Sequence, residues 1–255
     1  MPIVDRPDGS LYYAESKASA SSYPPLILIH GAGASRLDWP PDLRRLPGIR
    51  VITLDLPGHG KSTGPSRTDL ETYAADVCAL LDALQIERAI IAGHSMGGGV
   101  AQQIALTDPH RVAGLILLGT SSKLPVAPGL TQRIMADTEA AIEWLIAAAW
   151  GKNVPDAVKD LGRQRLSATP SAVMRDDYIA CQSFDVREQL SQITVPTLVI
   201  AAREDQMLRL AFSATLAERI PNATLMIIEN AGHMFPLEQS QAVAHIIAEW
   251  LSENL

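Results

Sequence analysis

Ile90-Ile91-Ala92-Gly93-His94-Ser95-Met96-Gly97-Gly98-Gly99 is a short apolar run ending in Gly-x-Ser-x-Gly, and Val100-Ala101-Gln102-Gln103-Ile104-Ala105-Leu106 continues from it as a helix-like stretch. A strand that turns this sharply into a helix needs small residues on both sides of the turn, because bulky ones would collide. Gly93 and Gly97 supply that space, which leaves Ser95 at the apex with its hydroxyl exposed above a sheet. These are the mechanics of a nucleophile elbow. The helix that begins there also aims its free backbone N–H groups at any oxyanion that forms nearby. The bland alternative is an ordinary glycine-rich strand-to-helix turn, so the rest of the chain has to decide.

Working outward, short apolar runs flank the elbow on both sides. Ile3-Val4 and Leu11-Tyr12-Tyr13 around Asp8-Gly9 read as a hairpin, followed by a polar stretch at 16–22. Leu26-Ile27-Leu28-Ile29, Arg50 to Asp55, Leu115-Ile116-Leu117-Leu118, Pro196 to Ala201 and Thr224 to Ile228 are continuous runs of the kind buried within a sheet covered on both faces. Helical spacing separates them, as in Leu70, Tyr73, Ala74, Val77, Leu81 and Leu84, with Thr68-x-x-Glu71 read as the capping box. From Ser121 the rhythm changes, and no strand-like run returns until Thr197. Helices are expected at 131–150, 155–167, 171–182 and 186–190, then near 210–219 and from Gln239 to Leu251. The expectation is an α/β fold: a mostly parallel sheet flanked by helices with an inserted all-helical cap. Residues 1–120 and 193–255 form the two parts of the core, and 121–192 form the cap.

Composition narrows the classes of function. In 255 residues, 47% are hydrophobic and 19% charged, which suits a globular protein with a substantial core. A formal charge of −7 without a basic block argues against a nucleic-acid partner. The polar N-terminus has no signal-peptide core, and no run reaches transmembrane length, so a cytoplasmic protein without a membrane partner is expected. Cys78 and Cys181 have no metal-ligand or CxxC neighbours and read as small core residues. Gly31-x-Gly33 lacks the third glycine of a dinucleotide fingerprint, since Arg36 stands there. Gly60-Lys61-Ser62 lacks the first glycine of a phosphate loop, since Asp55 stands there. No cofactor and no metal are expected.

In parallel sheets ligands bind at the carboxyl ends of the strands, and four strand ends carry suggestive residues: His30-Gly31, Ser95, Glu204-Asp205 and Gly232-His233. A serine hydroxyl needs a neighbouring base, and a histidine base needs a carboxylate to hold its tautomer. Of six histidines, His233 suits the base, because it follows the serine and an acid in chain order. Asp205 and Glu204 compete for the acid, Asp205 favoured by its shorter side chain and its position further beyond the strand. His30 and His59 read as structural, His94 as pointing away from the serine, and His110 and His245 as bland. Glu238 reads as an anchor for the final helix.

With these residues in place the chain resembles the α/β-hydrolase superfamily over nearly its whole length. The matching motifs are His30-Gly31, Asp55-Leu56-Pro57-Gly58-His59-Gly60-Lys61-Ser62, Gly93-His94-Ser95-Met96-Gly97-Gly98, Pro196-Thr197-Leu198-Val199-Ile200 leading to Asp205, and Gly232-His233. The resemblance implies Ser95 as nucleophile, Asp205 as acid and His233 as base, with the N–H groups of Ala32 and Met96 as oxyanion donors. Carbon–carbon bond hydrolases of aromatic degradation usually carry Asn before the serine and Trp after the histidine, where this chain has His94 and Met234.

The expectation is thus a carboxylesterase-like serine hydrolase of small-to-medium neutral esters, with a small-molecule ester as its partner; the sequence leaves the oligomeric state open. A carbon–carbon or enol-lactone hydrolase, and a non-enzymatic ligand receptor on the same fold, are the rivals. Ile142, Leu145, Ile146, Trp150 and Met234 are the expected pocket residues.

Overall fold

The structure, a computed structural model, describes residues 2–16 and 21–255. The polar stretch expected at 16–22 therefore falls mostly outside the described residues. Eight strands form one sheet: β1 (Ile3–Arg6), β2 (Gly9–Ser16), β3 (Leu26–Ile29), β4 (Val51–Leu54), β5 (Ala89–His94), β6 (Val112–Leu118), β7 (Thr197–Ala202) and β8 (Ala223–Ile228). Their spatial order is β1-β2-β4-β3-β5-β6-β7-β8. The β1–β2 hairpin runs antiparallel at one edge, and β4 through β8 are mutually parallel.

The apolar runs are continuous because both faces are covered. Leu26 and Leu28 pack on one side with Ile90, Ala92, Ile116 and Leu118. Ile27 and Ile29 pack on the other with Ile91, Leu115 and Leu117. Each residue of a strand thus finds a core, whichever way the pleat points it. Strand β8 differs: its burial alternates, as suits a strand at the sheet's edge.

Helices α1 (Pro41–Arg44), α2 (Leu70–Ala83) and α3 (Met96–Thr107) precede β6 or join strands. Asp69, not Thr68, caps α2: its carboxylate accepts from Thr72 N and Thr72 Oγ1, each at 2.7 Å. The expected capping box is therefore one residue early, and the shift makes buried Leu70 the first helical residue.

Between β6 and β7 lie only helices: α4 (Leu130–Ala136), α5 (Thr138–Ala149), α6 (Asp156–Ser167), α7 (Ser171–Ser183) and a 3-10 turn at Arg187–Gln192. The helix expected at 131–150 is two, because the Asp137 side chain accepts from Ala140 N and starts a new helix. This insertion has its own core of Leu130, Ile134, Ile142, Leu145 and Met174. After β7 come α8 (Leu210–Arg219), the short α9 (Phe235–Glu238) and α10 (Ser240–Asn254). Among the described residues no helix is long and apolar enough to cross a membrane.

Candidate active site

The chain leaves β5 and turns on Ser95, whose φ of 54° and ψ of −119° lie in a region that L residues rarely adopt. A Cβ on Gly93 would run into the carbonyl of Gly97, and one on Gly97 into the carbonyls of Ile29 and His30. Glycine is therefore required at both places for the turn to close. The apex is braced from β6 and its exit: Ser95 N donates to Leu118 O at 2.9 Å, and Thr120 Oγ1 donates to Ser95 O at 2.8 Å. Strain at one residue persists only where neighbours over-determine the backbone in this way.

Asp205 follows β7 by three residues and His233 follows β8 by five, and the two meet, with His233 lining the same cavity as Ser95. His233 Nδ1 lies 2.8 Å from Asp205 Oδ2, with both residues at or below 5% exposure. The other carboxylate oxygen of Asp205 accepts from Met207 N and Leu208 N, each at 2.8 Å. Burial by itself would raise the Asp205 pKa. The His233 ring and these two amides outweigh it and hold the carboxyl below its ordinary value. An ionised Asp205 leaves His233 Nδ1 as a donor and Nε2 free to take a proton. Among the described residues no hydrogen bond joins Nε2 to Ser95 Oγ; such pairs commonly tighten only around substrate. Glu204 is turned elsewhere, its Oε2 accepting from Lys152 N at 3.1 Å.

Of the remaining histidines, His30 accepts from Leu56 N through Nε2 at 3.0 Å and faces Gly31 O through Nδ1 at 2.8 Å. Burial, with the charge of His59, lowers its pKa to about 3. His94 does not turn away from the site as expected. Its Nε2 contacts His233 O, and the ring lines the same cavity as Ser95. His110 and His245 are exposed.

Gly31 abuts the serine closely enough that a Cβ on it would sit 3.3 Å from Ser95 Cβ. The next residue, Ala32, lines the cavity, and Met96 is the first residue of α3. Among the described residues the N–H groups of Ala32 and Met96 have no hydrogen-bond partner. Two unpaired N–H groups, one in the loop after β3 at the cavity wall and one at the start of α3 next to Ser95 in the chain, are therefore present here.

The cavity holds about 120 Å³ and contains Ser95 and His233. Of the five residues named above for a pocket, Leu145, Ile146, Trp150 and Met234 line this cavity. Ile142 does not: it is buried in the insertion's own core. Trp39, Leu124, Tyr178, Met207 and Leu208 also line it, and sequence reasoning singled out none of them. Trp39 and Leu124 sit in loops without periodicity, so no local signal marked them. Cys181 is a lining residue as well as a buried one. No Lys or Arg is among the lining residues. Among the described residues no group of three or more His, Cys, Asp or Glu is placed to hold a metal ion.

Glu238 does not serve the final helix as expected. Its carboxylate accepts from Gly232 N at 3.0 Å and from Gly151 N at 3.2 Å, and Met234 N donates to Ala149 O at 3.0 Å. The loop bearing His233 is thereby fastened to the end of α5.

A parallel sheet with a strained serine after β5, and a histidine and carboxylate after the last two strands, defines the α/β-hydrolase class. The chain belongs to the alpha/beta hydrolase family, whose model matches residues 26–246. It is 33% identical, over 95% of its length and 96% of the relative's, to "Putative carbamate hydrolase RutD" of Caulobacter sp. strain K31. It is 32% identical to 3-oxoadipate enol-lactonase 2 of Acinetobacter baylyi, over 88% of this chain and 87% of that one. The enol-lactonase structure from Burkholderia xenovorans LB400 superposes with a TM-score of 0.92 at 23% identity, covering 98% of this chain and all of the other (100%), which is a likeness of fold.

Proposed function

We propose that this protein is a serine hydrolase of small-to-medium neutral carboxylic esters, working through an acyl-enzyme. The observation that carries the reading is the 2.8 Å contact between buried Asp205 and His233, which lines the same cavity as the strained Ser95. In this scheme His233 Nε2 takes the Ser95 proton as Oγ attacks the acyl carbon, and Asp205 stabilises the imidazolium that forms. The tetrahedral oxyanion is held by the N–H groups of Ala32 and Met96. His233 then returns its proton to the departing alkoxide, and water, activated by the same ring, releases the acid.

The lining supports a neutral substrate. It is mostly apolar and includes no Lys or Arg, and three arginines of the insertion are already matched: Arg165 lies 3.4 Å from Asp38, Arg175 lies 2.6 Å from Asp176, and Arg163 pairs with Glu143 and Asp160. Substrates with a free carboxylate, as the names of the enol-lactonase and 2-hydroxymuconate semialdehyde hydrolase relatives suggest for those enzymes, would find no free cation among these residues. A neutral carbamate or lactone presents the same attackable carbon and is the closest competing substrate. The helical insertion acts as the cap over the cavity in this reading.

A panel of activated esters differing only in acyl length, run beside a neutral lactone, a carbamate and a carboxylate-bearing analogue, tests it. Each methylene that fits adds at most about 0.8 kcal/mol of burial, so kcat/KM climbs over a few carbons and then falls. A carboxylate-bearing substrate preferred by orders of magnitude overturns the neutral-ester reading.

A further inference from the structure

Beneath the loop that carries Ala32 lies a buried polar cluster that the scheme above leaves unused. Asp177, from α7 of the insertion, is fully buried. Its Oδ2 accepts from Gly33 N at 2.7 Å and from His59 Nε2 at 2.8 Å, while Oδ1 accepts from the Tyr73 hydroxyl at 2.7 Å. His59 Nδ1 lies 3.0 Å from Pro57 O. Both ring nitrogens of His59 thus face acceptors, and only the imidazolium has an N–H for each. Burial opposes that charge, but Asp177, by its charge and its hydrogen bond, and the Pro57 carbonyl carry the His59 pKa above its ordinary value. From the same insertion, Thr169 Oγ1 donates to Gly33 O at 2.7 Å.

The insertion therefore grips Gly33 by both its N–H and its carbonyl. Gly31-Ala32-Gly33-Ala34 has little stiffness of its own, since glycine explores more backbone conformations than any other residue. An oxyanion donor must nonetheless be held close to its productive position, because a 1 Å misplacement can cost about 10² in rate. The Gly33 N–H belongs to the peptide immediately after Ala32, so anchoring it fixes the loop where the Ala32 N–H has to point. A lone carboxylate here would disfavour negative charge on the substrate. Paired with the His59 imidazolium, it makes a cluster that is neutral overall and still offers charge-assisted hydrogen bonds.

We infer that Asp177 is a positioning residue that holds the Ala32 oxyanion donor in place, which makes the helical insertion a working part of the oxyanion hole. The inference rests on the serine-hydrolase reading.

The test compares Asp177→Ala, Asp177→Asn and Thr169→Val with the parent. Ser95 is first titrated with a fluorophosphonate, so that every rate is expressed per reactive serine. Affinity for a phenylboronic acid, which forms a tetrahedral adduct with an oxygen in the hole, is measured in parallel. Asp177→Ala is expected to lower kcat per titrated serine on the order of 10², with KM little changed and boronate affinity falling in step with kcat/KM. Asp177→Asn, which keeps one acceptor oxygen, falls between Ala and parent. Thr169→Val moves in the same direction by less. Parental kcat per titrated serine and parental boronate affinity in both Asp177→Ala and Thr169→Val would overturn the inference, even with a lower melting temperature. Should Asp177→Ala not fold, Asp177→Asn and Thr169→Val decide by the same criterion. Failure of the fluorophosphonate to label Ser95 in the parent sinks the serine-hydrolase reading instead, and this inference with it.

Discussion

His94 Nε2 lies 2.9 Å from the carbonyl oxygen of His233, and the two imidazole rings stand 4.7 Å apart at their centroids. The residue before the serine thus buttresses the loop that bears the expected base. The contact requires His94 to carry its proton on Nε2. Burial, with the neighbouring His233, lowers its pKa to about 3, so the ring is neutral near pH 7. His94→Ala should therefore lower kcat by about tenfold to a hundredfold through misplacement of His233, with a smaller change in KM. Steady-state kinetics on an activated ester check this. Parental kcat would show that the loop holds its position without His94.

Ser95 is both the proposed nucleophile and a strained residue, and two substitutions separate the two. Ser95→Ala should remove turnover by a factor on the order of 10⁶ while keeping the strained φ of 54°. Ser95→Gly should abolish turnover as well, but glycine tolerates this backbone, so it should melt above Ser95→Ala. Relief of such strain is worth roughly 1–3 kcal/mol. Equal melting temperatures by calorimetry would mean that the elbow is not strained.

Asp205 and Glu204 are consecutive acids with opposite expectations. Asp205→Asn should cost about 10⁴ in kcat by presenting His233 with the wrong hydrogen-bonding partner. Glu204→Gln should stay near parental activity, because Glu204 faces Lys152 N. The folded-state pKa of Asp205 is depressed, so the carboxylate's contribution to stability is complete above about pH 4 and is lost as pH falls through the lower folded value. The melting-temperature gap between parent and Asp205→Asn should accordingly shrink on acidification. A gap that widens below pH 4 contradicts the assignment.

His59 has the opposite sign. Its folded pKa is raised, with Asp177 and Pro57 overcoming the effect of burial. The contribution of the charged ring is full below about pH 6.5 and is lost as pH rises through the raised value. Thermal melts from pH 6 to pH 9 should show the parent losing its advantage over His59→Gln toward the alkaline end. A pH-independent gap would mean that the buried ring does not titrate over this range.

The amino-acid sequence by itself determined the sheet, the elbow and the order of the site residues. Continuous apolar runs such as Leu26 to Ile29 can be buried only between two layers, and the spacing of Gly93, Ser95 and Gly97 is a steric requirement of one turn. Both are properties of a few consecutive residues, so they survive in a linear reading. The phase of the inserted helices does not survive. Asp176 and Asp177 are adjacent acids on α7, yet Asp176 takes the Ser66 hydroxyl and Arg175 while Asp177 reaches Gly33, 144 positions away. Ile142 and Leu145 lie one turn apart on α5, and only Leu145 reaches the cavity, whereas Trp144 on the same helix and Met135 on α4 are exposed. Successive helical residues are rotated by about 100°, so which of them meets the core depends on a surface that exists only once the insertion has docked. Tertiary structure alone therefore decided that the insertion grips the loop beside Ser95, because that choice is made by partners more than a hundred residues apart.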